Sequence, residues 1–170
     1  MLRIAGVIRE SIVDGPGLRF VVFTQGCPHH CEGCHNPQTH NPDGGYLIEQ
    51  SRIIAAFMKN PLLQGITFSG GEPFLQARQL IPIAEAIKAN GQDVVIYTGY
   101  TLEELKAMHE PDVNILLSLC DILIDGRFIL AERDLTLTFK GSCNQRIIDM
   151  NSYRQEKTDN EKKSETPKVF

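Results

Sequence analysis

Apolar residues fall into short runs separated by turn-forming residues, and the spacing within each run predicts its structure. Residues 2–13 alternate roughly between apolar and polar side chains, and residues 18–24 form an apolar run. Both stretches predict strands, and the intervening Asp14-Gly15-Pro16-Gly17 predicts a turn. Further apolar runs predict later strands at 65–68, 93–97, 121–125 and 135–139.

Helical spacing appears between these runs. Residues 49–59 carry apolar side chains at helical intervals, and residues 75–89 do the same around Pro82, which we expect to kink the helix or delay its start. Thr101 and Glu104 have the spacing of a capping box and predict the start of a third helix. An apolar segment, residues 113–119, leads into the strand at 121–125. The strand and helix alternation predicts an α/β fold with a parallel sheet.

The length of 170 residues predicts a single domain. We place it at residues 1–152, because residues 153–170 are polar without an apolar period and are expected to form a disordered tail. The net charge of -4 gives no basic field for nucleic acid or an anionic membrane. The N-terminus lacks an apolar signal region, and no apolar run reaches the roughly 20 residues that span a bilayer. We therefore expect a cytoplasmic protein.

Three of the five cysteines share one loop after the strand at 18–24: Cys27, Cys31 and Cys34, in a C-x3-C-x2-C spacing. Thiolates are soft ligands that select zinc, copper(I) or iron-sulfur clusters. A 4Fe-4S cluster takes four ligands, so three thiolates would leave one iron open. The odd cysteine count argues against a secreted disulfide framework. Cys120 is expected to be a buried hydrophobe, and Cys143 lies in a polar loop.

A structural zinc site is the alternative, because potential nitrogen and oxygen ligands flank the cysteines: His29, His30, His35 and Asn36. Zinc knuckles usually contain two C-x2-C-like pairs on a small domain, whereas this chain has one cysteine cluster beside a strand of a larger α/β pattern. Neither His29 nor His30 is assigned a role, since histidines of a polar loop more often face solvent or support the ligands from behind than bind a metal.

The cysteine spacing after a strand, followed by Gly70-Gly71-Glu72-Pro73, resembles the radical S-adenosylmethionine superfamily. The resemblance implies a shortened, open partial (β/α) barrel with a 4Fe-4S cluster on Cys27, Cys31 and Cys34. It also implies that S-adenosylmethionine chelates the open iron and that an electron from the cluster cleaves it to a 5'-deoxyadenosyl radical. The protein would position and shield that chemistry rather than perform it.

The same resemblance suggests residues that bind the cofactor. Gly70, Gly71 and Glu72 correspond to the motif that binds the methionyl ammonium group. Asp125 ends an apolar strand, as does the aspartate that lies near the ribose or methionine in related activases, and Thr98 is similarly placed. Many superfamily members have an aromatic residue before the third cysteine, but this chain has Gly33. We therefore expect adenine recognition from His35 or from backbone groups.

Residues 11–19, which contain the Asp14-Gly15-Pro16-Gly17 turn, resemble the segment before the cluster in glycyl-radical-enzyme activases. The short chain and the segments 122–128 and 141–148 are most similar to the activases of anaerobic ribonucleoside-triphosphate reductase. This similarity implies that reductase as the protein partner, a glycine of it as the substrate, and a low-potential electron donor such as flavodoxin. Arg146 or Asn144 could then hold the cofactor or the partner's glycine loop.

Three alternatives stay open at this point. The first is an activase of the pyruvate formate-lyase type, which is typically longer. The second is a small-molecule radical enzyme such as a 7-carboxy-7-deazaguanine synthase, against which the Asp14-Gly15-Pro16-Gly17 turn speaks. The third is a non-enzymatic zinc or iron-sulfur module, which metal and acid-labile sulfide analysis would distinguish.

Overall fold

The structure is a computed structural model that describes the backbone of residues 1–164 and the side chains of residues 1–159. Within that part of the chain, one seven-stranded sheet has the order β3-β1-β2-β4-β5-β6-β7. The strands are β1 Leu2–Ser11, β2 Arg19–Thr24, β3 Tyr46–Ile48, β4 Gly65–Gly70, β5 Asp93–Tyr97, β6 Ile122–Asp125 and β7 Arg146–Asp149.

The middle of the sheet is parallel and its margins are antiparallel. Strands β2, β4, β5 and β6 pair in parallel, whereas β3, β1 and β7 pair antiparallel to their neighbours. Five helices follow the strands: α1 Gln50–Phe57, α2 Ala77–Ala89, α3 Leu102–Ala107, α4 Pro111–Leu119 and α5 Met150–Ser164. The predicted mixed α/β fold and its parallel sheet are thus confirmed.

Alternate residues of the parallel strands face two different environments, as the period of two requires. One set joins the helices in the hydrophobic core and includes Phe20, Ile66 and Val94. The other set faces away from that core, and its members near the strand ends, Phe23 and Tyr97, line a cavity. The helices therefore cover one face of the sheet and leave the other to the candidate site.

The ends of the sheet differ from the sequence-based expectation. Residues 135–139 form turns rather than a strand, and the last strand is β7, which begins at Arg146 and pairs with β6. The short strand β3 also escaped prediction. Pro82 is accommodated inside α2, which starts at Ala77 after a short 3-10 helix.

The chain after residue 152 also differs from the expected disordered tail. Helix α5 begins at Met150, which is buried, and continues through Tyr153, which packs against the core. Arg154 then donates hydrogen bonds to the carbonyl oxygens of Leu117 and Cys120. Residues 153–164 are thus helical; residues 165–170 lie outside the described residues. Among the described residues, no helix is long and apolar enough to cross a membrane.

Candidate metal and cofactor site

A cavity of about 480 Å³ opens where the parallel strands end. This is the edge at which α/β sheets generally bind ligands. The cavity collects most of the residues that the sequence placed together: Cys27, Cys31, Cys34, His35, Gly70, Gly71 and Thr98. The turn before β2 contributes Asp14. Among the residues predicted to bind the cofactor, Glu72 and Asp125 do not line this cavity.

The cysteine loop begins with a sharp turn at the end of β2. Gly26 has a φ of 94°, which favours glycine, and its N–H donates to the Thr39 carbonyl at 2.8 Å. Cys27 N–H donates to the His40 carbonyl at 3.2 Å. The three cluster cysteines are free thiols of intermediate exposure. The loop thus presents them to the cavity from a fixed backbone.

The environment of these thiols is partly apolar. Burial raises the pKa of the Cys27 thiol, and the Glu72 carboxylate raises it further, whereas a backbone hydrogen bond from His29 lowers it. Within residues 1–159, no three His, Cys, Asp or Glu side chains converge to hold a single metal ion. The thiols line a common space without meeting at one point.

Glu72 lies behind the cavity wall instead of lining it. The side chain is fully buried, and its carboxylate accepts hydrogen bonds from Thr98 Oγ1 at 2.9 Å and from the Gly99 N–H at 2.9 Å. The Phe74 N–H and His29 Nε2 also donate to it, at 3.1 Å and 2.9 Å. The position predicted for an ammonium ligand is therefore filled by groups of the protein itself.

Asp125 is also buried and does not line the cavity, although its neighbour Gly126 does. Its carboxylate accepts from the Leu102 N–H at 2.8 Å, at the start of α3, and from the Arg146 guanidinium. Arg146 in turn bonds Glu103 and lowers the pKa of that carboxyl. Asp125 and Arg146 thus join β6, β7 and α3 to each other.

The segment Gly141-Ser142-Cys143-Asn144-Gln145 has a structural task. Asn144 Nδ2 donates to the Arg127 carbonyl at 2.8 Å, and Gln145 Nε2 donates to the Gly126 carbonyl at 3.0 Å. Gln145 Oε1 accepts from the Gly141 N–H at 2.8 Å. These bonds hold residues 126–141 over the cavity, which Phe128 and Lys140 help to line.

Sequence reasoning missed two histidines at the site. His29 was left unassigned, yet its side chain is 4% exposed and its ring contacts Tyr100 edge-on, with 4.4 Å between ring centroids. His40 received no role, yet it lines the cavity. A polar loop does not predict the burial of His29, because its partners Glu72 and Tyr100 come from distant segments. No signal in the single sequence marked them.

The residues present fit an iron-sulfur cluster with a polar cofactor. Three thiols supply the soft donor set that such clusters take. His40 Nε2 is buried and has no hydrogen-bond partner within the described part of the chain. Buried polar atoms are nearly always paired, so an unpaired nitrogen in a ligand-sized cavity is the feature expected where a bound group supplies the partner.

Comparison with known proteins identifies the class. Residues 13–148 match a family model described as a 4Fe-4S single cluster domain. That match spans the cysteine loop, the parallel strands and β7 up to its third residue. The fold and the thiol-lined cavity therefore belong to a 4Fe-4S single cluster domain.

Curated relatives define the family more closely. Anaerobic ribonucleoside-triphosphate reductase-activating proteins of Haemophilus influenzae (33% identity over 145 residues, 81% of this chain and 91% of the relative), Enterobacteria phage T4 (34% over 145 residues, 81% and 87%) and Escherichia coli K12 (33% over 143 residues, 79% and 90%) match it. The chain belongs to the family of anaerobic ribonucleoside-triphosphate reductase-activating proteins. Among solved structures, QueE from Escherichia coli is similar with a TM-score of 0.45 and 17% identity, covering 59% of this chain and 53% of that one.

Proposed function

We propose that this protein is a radical S-adenosylmethionine activase that generates the glycyl radical of an anaerobic ribonucleoside-triphosphate reductase. The observation that carries the proposal is the common cavity, which brings the three thiols together with Gly70, Gly71 and Thr98. Its relatives are named as activating proteins of that reductase, and we take the partner from them. When bound, the cluster and S-adenosylmethionine supply the electron and the radical that abstracts a hydrogen atom from the partner's glycine.

The chain's own residues have binding and shielding tasks in this proposal. Cys27, Cys31 and Cys34 hold the cluster. Gly70 has a φ of 95°, and with Gly71 it lets backbone groups approach the cofactor without a side chain between them. Residues 126–141 cover part of the cavity and limit the access of solutes that could donate a hydrogen atom to the radical in a side reaction.

Contacts to the rest of the cofactor are assigned by position. Thr98 and His35 line the cavity, so we propose that they contact S-adenosylmethionine. The His35 ring packs against Phe128 with 4.9 Å between ring centroids. We propose that this aromatic pair stacks with the adenine. Glu72 and Asp125 are proposed to act from behind the wall, by orienting the segments that make direct contact.

Several further features belong to the proposal. We infer that the open-edged sheet is a shortened partial (β/α) barrel, with its uncovered side available to a large protein substrate. We also infer a cytoplasmic location, since crowded thiols stay reduced in such a compartment. A low-potential donor such as flavodoxin would reduce the cluster. The proposed domain comprises residues 1–152 and so includes the first three residues of α5.

Electron paramagnetic resonance of the anaerobically reconstituted, reduced protein tests the proposal. Spectra are recorded alone, with S-adenosylmethionine, and then with an anaerobic ribonucleoside-triphosphate reductase. We expect a reduced-cluster signal that changes with S-adenosylmethionine, followed by a glycine-centred doublet in the mixture. Cleavage products of S-adenosylmethionine are quantified in the same samples.

The other outcomes separate the parts of the proposal. A cofactor-sensitive signal without the doublet would retain the radical chemistry and contradict the assigned partner. A colourless protein that binds zinc and contains no acid-labile sulfide would contradict the enzymatic function altogether.

A further inference from the structure

The buried Glu72 carboxylate connects three segments that surround the cavity. One oxygen, Oε1, accepts from the Phe74 N–H at 3.1 Å and from Thr98 Oγ1 at 2.9 Å. The other, Oε2, accepts from the Gly99 N–H and from His29 Nε2, each at 2.9 Å. A carboxylate offers about four lone-pair sites, so these donors occupy its acceptor capacity.

His29 is held as firmly as the carboxylate it meets. Its ring lies edge-on to Tyr100, and a Cβ at Gly99 would lie 2.3 Å from its Cδ2 atom. No side chain at position 99 could coexist with this ring position, because real Cβ contacts do not come so close. Glycine at position 99 therefore makes room for the imidazole.

We propose that His29 and Glu72 act as one positioning unit that sets the cysteine loop against the cofactor-binding turn. This inference deepens the proposed function and rests on its assignment of S-adenosylmethionine to the cavity. His29 lies between the first two cysteines in sequence, and Glu72 directly follows Gly71. The hydrogen bond between them is thus a short side-chain link between the cluster ligands and the glycine turn.

The backbone reinforces the same junction. The Glu72 N–H donates to the Gly26 carbonyl at 2.8 Å, and the Gly71 N–H donates to the Thr24 carbonyl at 2.9 Å. The turn is therefore docked on the end of β2, where the cysteine loop starts. Side chain and backbone together fix the distance between the thiols and the cofactor contacts, including Thr98 and Gly99 on the cavity wall.

The geometry distinguishes this arrangement from direct binding of the cofactor by Glu72. The carboxylate is fully buried and is not among the cavity-lining groups. A ligand ammonium would have to displace one of its donors. A positioning unit instead predicts that replacing His29 weakens cofactor binding, although the replacement leaves the three thiols in place.

The test compares variants that retain different parts of the His29 contact. Phe in H29F retains a ring against Tyr100 and loses the hydrogen bond, whereas Gln in H29Q retains an N–H donor. E72Q and the double variant H29F/E72Q complete a double-mutant cycle. The exposed His109, which precedes α4 and does not line the cavity, has a φ of 54°, a conformation that asparagine tolerates, so H109N is the matched control.

Two readouts are taken from each reconstituted protein. Iron and acid-labile sulfide report whether the thiols hold the cluster. The change in the electron paramagnetic resonance spectrum on titration with S-adenosylmethionine gives the half-saturating concentration. We expect near-normal cluster content in H29F with a half-saturating concentration raised about tenfold, the lower end of the losses seen when residues behind a metal site are changed.

The conservative variant and the cycle decide the inference. H29Q should bind S-adenosylmethionine more tightly than H29F, H109N should match the wild type, and the double variant should be no worse than E72Q. Unchanged or tighter binding by H29F, or effects of H29F and E72Q that multiply, would overturn the positioning unit. If H29F does not fold, wild-type-like affinity of H29Q supports the unit, and a loss of about tenfold in that variant overturns it.

The wild-type titration separates this inference from the proposed function. A wild-type cluster whose spectrum does not change on addition of S-adenosylmethionine would contradict the proposed function and the inference together. A responsive wild type with an equally responsive H29F would contradict the inference alone.

Discussion

The cysteines show how local environment assigns different tasks to one side chain. Cys120 is fully buried, and burial raises the pKa of its thiol, so it behaves as a small hydrophobe. Cys143 is exposed in the segment after residue 141. The three thiols of the loop lie between these extremes and face the cavity. Partial burial keeps them accessible to an incoming cluster and shields the product from water.

Replacing one cavity cysteine should remove the cluster and preserve the fold. Cys31→Ala is expected to abolish stable 4Fe-4S binding and glycyl radical formation, because two thiolates cannot replace the three that the cluster uses. Iron and sulfide analysis measures the first effect, and circular dichroism tests the fold. Cys143→Ala is the control and should retain cluster and activity. Full activity of Cys31→Ala would contradict the ligand assignment.

Arg19 is a fully buried cation that ties the turn before β2 to the sheet. Its Nε donates to Thr67 Oγ1 at 2.7 Å, and its other nitrogens reach the Pro16 and Ile66 carbonyls at 2.9 Å and 2.8 Å. It also pairs with Asp93 at the start of β5. The guanidinium thus satisfies several buried acceptors at once.

Arg19→Met should therefore destabilise the protein, although methionine preserves much of the apolar stem. We expect the free energy of unfolding in urea to fall by about 3 kcal/mol, because buried acceptors lose their donors. Arg52→Met, at an exposed position of α1, should change it by less than about 0.5 kcal/mol. Equal stability of the two variants would show that Arg19 contributes little.

At the scale of elements, the start of α5 depends on a carboxylate cap. Asp149 Oδ1 accepts from the Ser152 N–H at 3.1 Å and from the Asn151 N–H at 2.9 Å. These backbone hydrogen bonds lower the pKa of Asp149 below its ordinary value of 3.8. A negative charge is favourable at this helix N-terminus, because the unpaired backbone N–H groups and the helix dipole give it a partial positive charge.

The sign of the pH effect follows from that lowered pKa. The capping contribution is complete above the ordinary pKa and is lost as the pH falls through the lowered folded-state value. The melting temperature of wild type should exceed that of Asp149→Ala near neutral pH, and the difference should shrink at pH values below 3.8. Asp149→Asn caps without titrating, so its advantage over Asp149→Ala should be independent of pH. A wild-type advantage that grows in acid would contradict this cap.

The elements also show what the sequence could predict. Strands β1, β2, β4, β5 and β6 and helices α1 and α2 followed from the apolar pattern, and α3 followed from the Thr101 and Glu104 capping box, which is present. Strand β7 has one side chain of intermediate burial and three exposed ones, so its pattern carries little signal. Its existence depends on pairing with β6. Helix α5 escaped because, within residues 150–159, its contacts with the hydrophobic core come from Met150 and Tyr153 near its start.

At the scale of the whole molecule, the sequence predicted which residues share the sheet edge but not which way they point. Strand ends placed Thr98 and Asp125 together, and only the first lines the cavity. Asp125 turns to Arg146 and to the start of α3, contacts that join distant segments. Glu72 likewise turns away from the cavity, toward Thr98, Gly99 and His29. Side-chain direction depends on tertiary partners that periodicity does not contain.

The segment over the cavity, residues 126–141, contains no helix or strand of the sheet apart from a short 3-10 helix at Leu130–Glu132. Gln145 holds both of its ends, since it bonds the Gly126 carbonyl and the Gly141 N–H. Its amide therefore connects the two ends of the segment between β6 and β7, and few backbone hydrogen bonds provide a second connection. Segments with such sparse local bonding open at low free energy.

Gln145→Ala should consequently loosen the cover without disturbing the sheet. We expect faster amide hydrogen exchange in residues 126–141 and unchanged exchange in β4 and β5, whose bonds lie within the parallel sheet. Gln155→Ala, at an exposed position of α5, is the matched control and should leave both regions unchanged. Because the cover shields the cavity, the variant should also cleave more S-adenosylmethionine per glycyl radical formed. Unaltered exchange across residues 126–141 would mean that the cover is held by its other contacts, and uniform acceleration across the sheet would mean that Gln145 stabilises the whole fold.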